Sequence, residues 1–110
     1  MLPGGVGVED ITLGAGPLLE EGRQVSMHYV GRLADGTVFD SSRKRGTPLR
    51  YKFHSGRMIK GWEEGTLGMR VGGVRRLLVP PHKGYGERGK PGTIPPNAII
   101  EFEIEALDMR

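Results

Sequence analysis

Glycine and proline divide this chain into apolar segments that are too short for long helices. Its 110 residues include 19 glycines and 8 prolines, without the every-third glycine of collagen. These two residues most often end helices and strands, because glycine tolerates positive φ and proline lacks a backbone N–H. The sequence therefore favours short β-strands separated by turns.

Six segments have the side-chain pattern of β-strands. The most regular one lies near the C-terminus, where Ile100, Phe102 and Ile104 alternate with glutamates. A period of two places one face of a strand in a core and the other in water. The predicted strands are 6–13, 24–33, 37–39, 49–53, 74–79 and 100–106.

One segment, residues 58–68, has the spacing of a short helix. Ile59, Trp62 and Leu67 are its apolar positions, and polar residues or glycines lie between them. Gly61 and Gly65 each cost about 1 kcal/mol relative to alanine inside a helix, so we expect this helix to depend on packing against a sheet. The predicted fold is a single α+β domain over 1–110, with an antiparallel sheet of about five to six strands curled around one short α-helix.

Residues 80–97 form the longest stretch without a strand or helix pattern. The segment opens with two prolines and contains GYGERGKPG, which lacks the GxxxxGK[ST] spacing of a phosphate-binding loop. Long loops in compact domains are more often functional than merely connecting. We therefore expect this loop to contribute to a functional site.

No residue pattern indicates a metal, a cofactor or a covalent nucleophile. The chain has no cysteine, and His28, His54 and His82 lack the spacing of shared metal ligands. Its serines are not part of a GxSxG nucleophile elbow. We expect a protein that uses neither metal nor cofactor.

The basic residues do not form a nucleic-acid-binding pattern. The formal charge is +3, and aromatic residues make up 6% of the chain. The strand pattern is interrupted at residues 40–42. The basic triplet Arg43, Lys44 and Arg45 follows this interruption and is predicted to lie in a solvated loop. The chain has neither a bilayer-spanning apolar run nor an export signal at residue 1. We expect a cytoplasmic monomer that binds neither nucleic acid nor membrane.

Asp40 and Trp62 each have two possible roles. Asp40 directly follows Phe39, so its carboxylate either orients a ligand at a pocket rim or closes an Asx turn onto Ser42. The Trp62 indole can fill a core, and in a small domain it can also be a platform for a ligand. The residues alone leave both questions open.

Four segments together resemble the FKBP-type (immunophilin) prolyl isomerases. They are VSMHYVGRLADGTVFDSS, MIKGWEEG, GYGERG and TIPPNAIIEFEIEAL, in that order and spacing, along nearly the whole chain. The resemblance implies an antiparallel sheet wrapped around a short helix. It also implies peptidyl-prolyl cis/trans isomerase activity on proline-containing polypeptides, and binding of macrolides such as rapamycin or tacrolimus.

The resemblance further implies a largely aromatic site. The implied catalytic residues are Tyr29, Phe39, Asp40, Tyr85 and Phe102. The implied contacts to a substrate or macrolide are Arg45, Leu49, Met58, Ile59, Trp62, Lys90 and Ile94. By the same resemblance Trp62 forms the pocket floor, while the Tyr85 hydroxyl and the Ile59 amide donate hydrogen bonds to the substrate.

This chain departs from the family pattern at the rim of the implied site. Leu49 replaces an aromatic residue of many members, and Lys90 and Thr93 stand where neutral or aliphatic residues are common. The rim is therefore expected to be less apolar and more cationic, with a corresponding shift in substrate preference.

Two other functions compete with catalysis. A binding module would use the same pocket to hold a proline-bearing loop or a macrolide, with turnover incidental. A general folding helper would hold unfolded chains through exposed apolar surface. The folding helper is less favoured, because no flap is inserted between Phe53 and Trp62 or within residues 80–97.

Overall fold

The computed structural model describes residues 5–110, and the six β-strands in this range form one antiparallel sheet. The strands are β1 (Gly7–Thr12), β2 (Gln24–Leu33), β3 (Val38–Ser41), β4 (Leu49–Lys52), β5 (Val74–Val79) and β6 (Ile100–Met109). The helices are α1 (Ser42–Arg45) and α2 (Lys60–Gly65), followed by a 3₁₀ turn (Pro81–Lys83). The predicted class, an antiparallel sheet with a short helix, is confirmed.

The strand order is β1-β5-β6-β2-β3, and both β3 and β4 pair with β2. β4 pairs with the first half of β2 and β3 with the second half. The long strands β2 and β6 lie side by side along most of their length. They form the centre of the sheet, so residues on their apolar faces lie in the middle of the core.

The core lies on one face of the sheet because β2 and β6 alternate as predicted, whereas β1 shows no such alternation. Phe102 and Ile104 of β6 are 4% and 0% exposed, whereas Glu103 between them faces solvent. On β2, Met27 and Tyr29 are buried in the same cluster. Burial of these apolar side chains is the main force that holds the sheet and α2 together.

The predicted helix is shorter than expected, and its glycines have a packing role. A Cβ at Gly61 would lie 2.5 Å from Val79 Cγ1, and one at Gly65 would lie 2.6 Å from Leu77 Cδ1. Glycine therefore allows α2 to approach β5 closely, which offsets its low helix propensity. Leu67 lies beyond the end of α2 and is exposed, so it does not extend the apolar face.

The basic loop predicted after residue 42 is a capped helical turn. The Ser41 hydroxyl accepts a hydrogen bond of 3.2 Å from the Lys44 amide, and Gly46 ends α1 with a φ of 75°. β3 continues through Asp40 to Ser41, where the sequence analysis predicted an interruption. Both helices are short, and no helix within residues 5–110 is long and apolar enough to cross a membrane.

Residues 80–97 form a compact loop that is held by its own backbone hydrogen bonds. The Lys90 amide donates to the Ile94 carbonyl at 2.8 Å, and the Ile94 amide donates back to the Lys90 carbonyl at the same distance. A Cβ at Gly89, whose φ is 63°, would lie 2.3 Å from the Ile94 oxygen, so the turn requires glycine. This local structure places Tyr85 against the core.

Candidate active site

A pocket of about 140 Å³ opens between the sheet, α2 and the 80–97 loop. Its walls combine aromatic and aliphatic side chains with two charged ones. The lining residues are Tyr29, Phe39, Asp40, Arg57, Met58, Ile59, Trp62, Tyr85 and Phe102. A small apolar cleft with a few polar groups is the common form of a ligand site.

Trp62 is both a core residue and part of the pocket wall. The indole is 1% exposed, and its ring meets Tyr29 and Phe102 edge to face, with both centroid distances at 5.2 Å. Its Nε1–H donates to the Tyr51 hydroxyl at 2.8 Å. Because a buried indole N–H that already has a partner needs none from a ligand, the ring presents only apolar surface to the pocket.

Phe39 closes the opposite wall through contact with Phe102, at a centroid distance of 5.7 Å. The close approach of these rings to β2 depends on Gly31, because a Cβ there would lie 2.6 Å from Phe39 Cζ. The same glycine pairs with Asp40 across β2 and β3. Strand register therefore fixes the positions of both Phe39 and Asp40 relative to the pocket.

Asp40 takes the rim position rather than closing an Asx turn. Its Oδ2 accepts a hydrogen bond of 2.6 Å from the Tyr29 hydroxyl, and its other oxygen is ion-paired with Arg45. Arg45 Nη2 also donates to the Tyr29 hydroxyl at 3.0 Å. An Asx turn would need the Ser42 amide to donate to Asp40, and among residues 5–110 no such bond forms. The Ser42 hydroxyl is engaged separately and accepts from the Tyr29 amide at 2.7 Å.

The three side chains of this network shift one another's protonation. Burial raises the pKa of Asp40, but the hydrogen bonds from Tyr29 and Arg45 outweigh burial and hold that pKa below its usual value. Burial and the hydrogen bond to Asp40 raise the pKa of Tyr29, against the opposing effect of Arg45. Asp40 is therefore ionised and Tyr29 neutral at physiological pH.

Two residues that line the pocket carry a hydrogen-bond donor without a partner in the described part of the chain. Among residues 5–110, none accepts a hydrogen bond from the Tyr85 hydroxyl or from the Ile59 amide. Burial and the charge of Asp40 raise the pKa of Tyr85, so its hydroxyl stays protonated. These donors are available to a carbonyl group held against the aromatic walls.

Apart from Arg57, the polar groups of the pocket suit recognition of an uncharged amide. Asp40 is already engaged by Tyr29 and Arg45. No three His, Asp or Glu side chains come together as a metal-binding group within the part of the chain that the structure describes. The arrangement can bury an apolar ring and hold an adjacent carbonyl by hydrogen bonds.

Eight of the predicted site residues line this pocket, and four do not. Arg45 contacts it indirectly, through Asp40 and Tyr29. Leu49 lies on β4 opposite Met27 and packs against the core, and Ile94 is 3% exposed in the same core. Lys90 is exposed on the 80–97 loop, so contacts of Leu49, Lys90 and Ile94 with a ligand stay predictions.

Arg57 lines the pocket and was not predicted. It directly precedes the MIKGWEEG segment, in a stretch of irregular structure between β4 and α2. Its position one residue before Met58 was the available signal, since pocket residues often cluster in a loop that leads into a helix. Hydrophobic periodicity gives no information about such a residue.

Comparisons with known proteins identify the family that this chain resembles. A sequence model of the family described as FKBP-type peptidyl-prolyl cis-trans isomerase matches residues 16–107. FK506-binding protein 1 of Dictyostelium discoideum is 46% identical over 106 residues, which are 96% of this chain and 99% of that protein. Peptidyl-prolyl cis-trans isomerase FPR2 of Saccharomyces cerevisiae is 47% identical over 104 residues, which are 94% of this chain and 74% of that protein.

A solved structure and several longer proteins also match. The crystal structure of AtFKBP13 has a TM-score of 0.91 and 39% sequence identity to this chain, with coverage of 98% of this chain and 95% of the other. The chain spans only 21–22% of the length of several proteins named FK506-binding protein 4. The fold described above thus occurs both in short chains and as a part of long ones.

Proposed function

This chain belongs to the FKBP-type peptidyl-prolyl cis-trans isomerases, and on that premise we propose that the aromatic pocket accelerates rotation about X-Pro bonds in polypeptide clients. The observation that carries the proposal is the pairing of buried aromatic walls with two unengaged donors, the Tyr85 hydroxyl and the Ile59 amide. In this proposal a proline ring packs against the walls, and the two donors hold the neighbouring carbonyls.

The reaction forms and breaks no covalent bond. Rotation about an amide has a barrier of about 18–20 kcal/mol, because resonance is lost when the bond twists. The twisted amide is less charge-separated than the planar one, so a pocket that excludes water favours it over the planar form. A thousandfold acceleration requires a barrier that is lower by roughly 4 kcal/mol.

Each wall of the pocket has a part in this mechanism. Trp62 and Phe102 would hold the proline ring through apolar contact, and Tyr85 would hold a carbonyl while the bond rotates. The Asp40 network would keep Tyr29 in place, because its hydroxyl is bonded on both sides. No proton has to move in any of these steps.

We also propose that macrolides such as rapamycin or tacrolimus bind in the same pocket. The support is the apolar wall together with the match to proteins named FK506-binding protein. Such a ligand would occupy the volume that a proline ring takes, so it would compete with the substrate.

Exchange NMR on a short Leu-Pro peptide, with and without catalytic amounts of protein and rapamycin, tests these proposals. Acceleration that rapamycin abolishes would support turnover in this pocket. Rapamycin binding without any acceleration would instead identify a binding module. If the protein does not accelerate exchange, the proposed isomerase function is wrong, whether or not rapamycin binds.

A further inference from the structure

Arg57 is a charged residue of the pocket wall that pairs with no acidic group among residues 5–110. It lines the pocket beside Met58 and is exposed. Among residues 5–110, no carboxylate forms an ion pair with Arg57, and no group accepts a hydrogen bond from it. Arg45, the other arginine at this site, is by contrast paired with Asp40.

The acidic groups closest to this part of the pocket have other partners. Asp40 is bound by Arg45 and by the Tyr29 hydroxyl. Glu63 of α2 accepts a hydrogen bond of 3.2 Å from the Met58 amide. Asp40 and Arg45 cancel each other's charge, whereas Glu63 keeps its own but forms no ion pair with Arg57. Among residues 5–110 the Arg57 guanidinium therefore has no ionic partner and can pair with an acidic group of a ligand.

We propose that Arg57 is a specificity-determining residue, which favours X-Pro bonds that have an Asp or Glu next to the proline. This inference rests on the proposed isomerase function of the pocket. A proline ring inside a cavity of about 140 Å³ leaves the flanking side chains at the rim, where Arg57 lies. A carboxylate there would gain an ion pair that the isosteric amide of Asn or Gln cannot form.

The expected effect is modest and has a distinct kinetic form. An ion pair between exposed groups changes an equilibrium by about two- to fivefold, and salt weakens it. The carboxylate would be attracted equally while the amide is planar and while it is twisted. The preference should therefore appear in KM, with kcat nearly unchanged.

The test compares peptides that differ only in Glu or Gln next to proline. Glu or Gln is placed either directly before or directly after the proline, and a Leu-Pro peptide is the reference. Both kcat and KM are measured for wild type, Arg57→Gln and Arg57→Lys. Lys60→Gln is the matched control, because Lys60 is exposed three residues away, forms no ion pair with a described residue and does not line the pocket.

We expect wild type to favour Glu over Gln by about two- to fivefold in at least one of the two positions. Arg57→Gln should abolish this preference through a higher KM for the Glu peptide, whereas Arg57→Lys and Lys60→Gln should retain it. The inference is overturned if wild type and Arg57→Gln prefer the Glu peptide over the Gln peptide to the same degree. It is also overturned if Lys60→Gln loses this preference as fully as Arg57→Gln does. Its failure is separate from that of the proposed function, which is overturned only if wild type does not accelerate even Leu-Pro exchange.

Discussion

The Tyr29 hydroxyl donates a hydrogen bond of 2.6 Å to Asp40 Oδ2 and so joins β2 to β3 at the edge of the pocket. Arg45 bonds to both groups, which closes a network of three side chains. Because Tyr29 also packs edge to face on Trp62, the network holds one wall of the pocket at a fixed distance from its floor. The protonation of Asp40 is therefore linked to the stability of the site.

Replacing Asp40 with Asn should destabilise the protein above about pH 4 and have less effect in acid. The folded pKa of Asp40 is lower than its unfolded value of 3.8, so ionised Asp40 contributes stability fully above 3.8. That contribution is lost as the pH falls through the lower, folded value. We expect a difference in unfolding free energy of about 1 kcal/mol at most, because the pair is partly exposed.

Urea unfolding of wild type and Asp40→Asn near neutral pH and near pH 2 measures this difference. Asp108→Asn is the control, since Asp108 is exposed on β6 and forms no ion pair with a described residue. A constant difference for Asp40→Asn at both pH values would contradict the network as the source of its stability.

Tyr85→Phe should reduce catalysis without reducing stability. The Tyr85 hydroxyl has no hydrogen-bond partner among the residues the structure describes, so its loss leaves no described group unpaired. One missing hydrogen bond to the substrate corresponds to about 1 kcal/mol, or roughly a fivefold loss in kcat/KM on Leu-Pro. Tyr29→Phe should differ by also lowering the unfolding free energy, and unchanged kcat/KM for Tyr85→Phe would remove this hydroxyl from the mechanism.

Tyr51→Phe should change how stability depends on alkaline pH. Burial raises the pKa of Tyr51 to about 12 from 10.0, so below pH 10 the hydroxyl is protonated in both the folded and unfolded states. Between pH 10 and 12 only the unfolded state ionises, and wild type loses about 1.4 kcal/mol per pH unit through this residue.

The variant starts from a lower stability, because the buried Trp62 Nε1–H loses its acceptor at a cost of about 1–3 kcal/mol. The variant has no tyrosine at this position to ionise, so it does not lose stability there at alkaline pH. The difference in unfolding free energy between wild type and the variant should therefore become smaller above pH 10. Denaturant unfolding from neutral to alkaline pH measures both effects, and parallel curves for the two proteins would refute the assignment.

Gly31→Ala should disturb the pocket through sterics alone. The new Cβ would lie 2.6 Å from Phe39 Cζ and 3.0 Å from Phe102 Cε1, so at least one ring has to move. Overpacking of this kind costs about 1–3 kcal/mol, and displacement of Phe39 should lower isomerase activity. In the control Gly7→Ala the nearest atom is Leu78 Cβ at 3.2 Å, outside the pocket, so activity should persist. Equal activity in both variants would argue against a role for the Phe39 wall.

The strands could be predicted from sequence because alternation is a local property. In β6, Phe102 and Ile104 face the core wherever the strand is placed in the sheet. The turn after β2 was equally local, and the Thr37 amide bonds to Asp35 Oδ1 at 2.9 Å as turn chemistry requires. The short helix α1 was missed, because one turn with a serine cap has no periodic pattern to detect.

The site could be predicted only in part. Family resemblance identified residues such as Trp62 and Tyr85, but residue spacing alone did not show that they meet. Residue spacing also did not decide whether Asp40 closes a turn or lies at the pocket rim. Its position depends on a hydrogen bond from Tyr29, which is eleven residues earlier in the chain. Register between β2 and β3 brings those two side chains together.

The sequence by itself determined where most of the strands and turns lie and which faces of β2 and β6 are apolar, since each of these follows from neighbours in the chain. Only the tertiary structure decided that Asp40 is held by Tyr29 and Arg45. It also decided that Arg57 lies in the pocket wall without an ion-pair partner among the residues the structure describes. Such relationships depend on strand register and on the packing of a helix against a sheet, so distances between residues far apart in sequence are fixed only when the whole core is assembled.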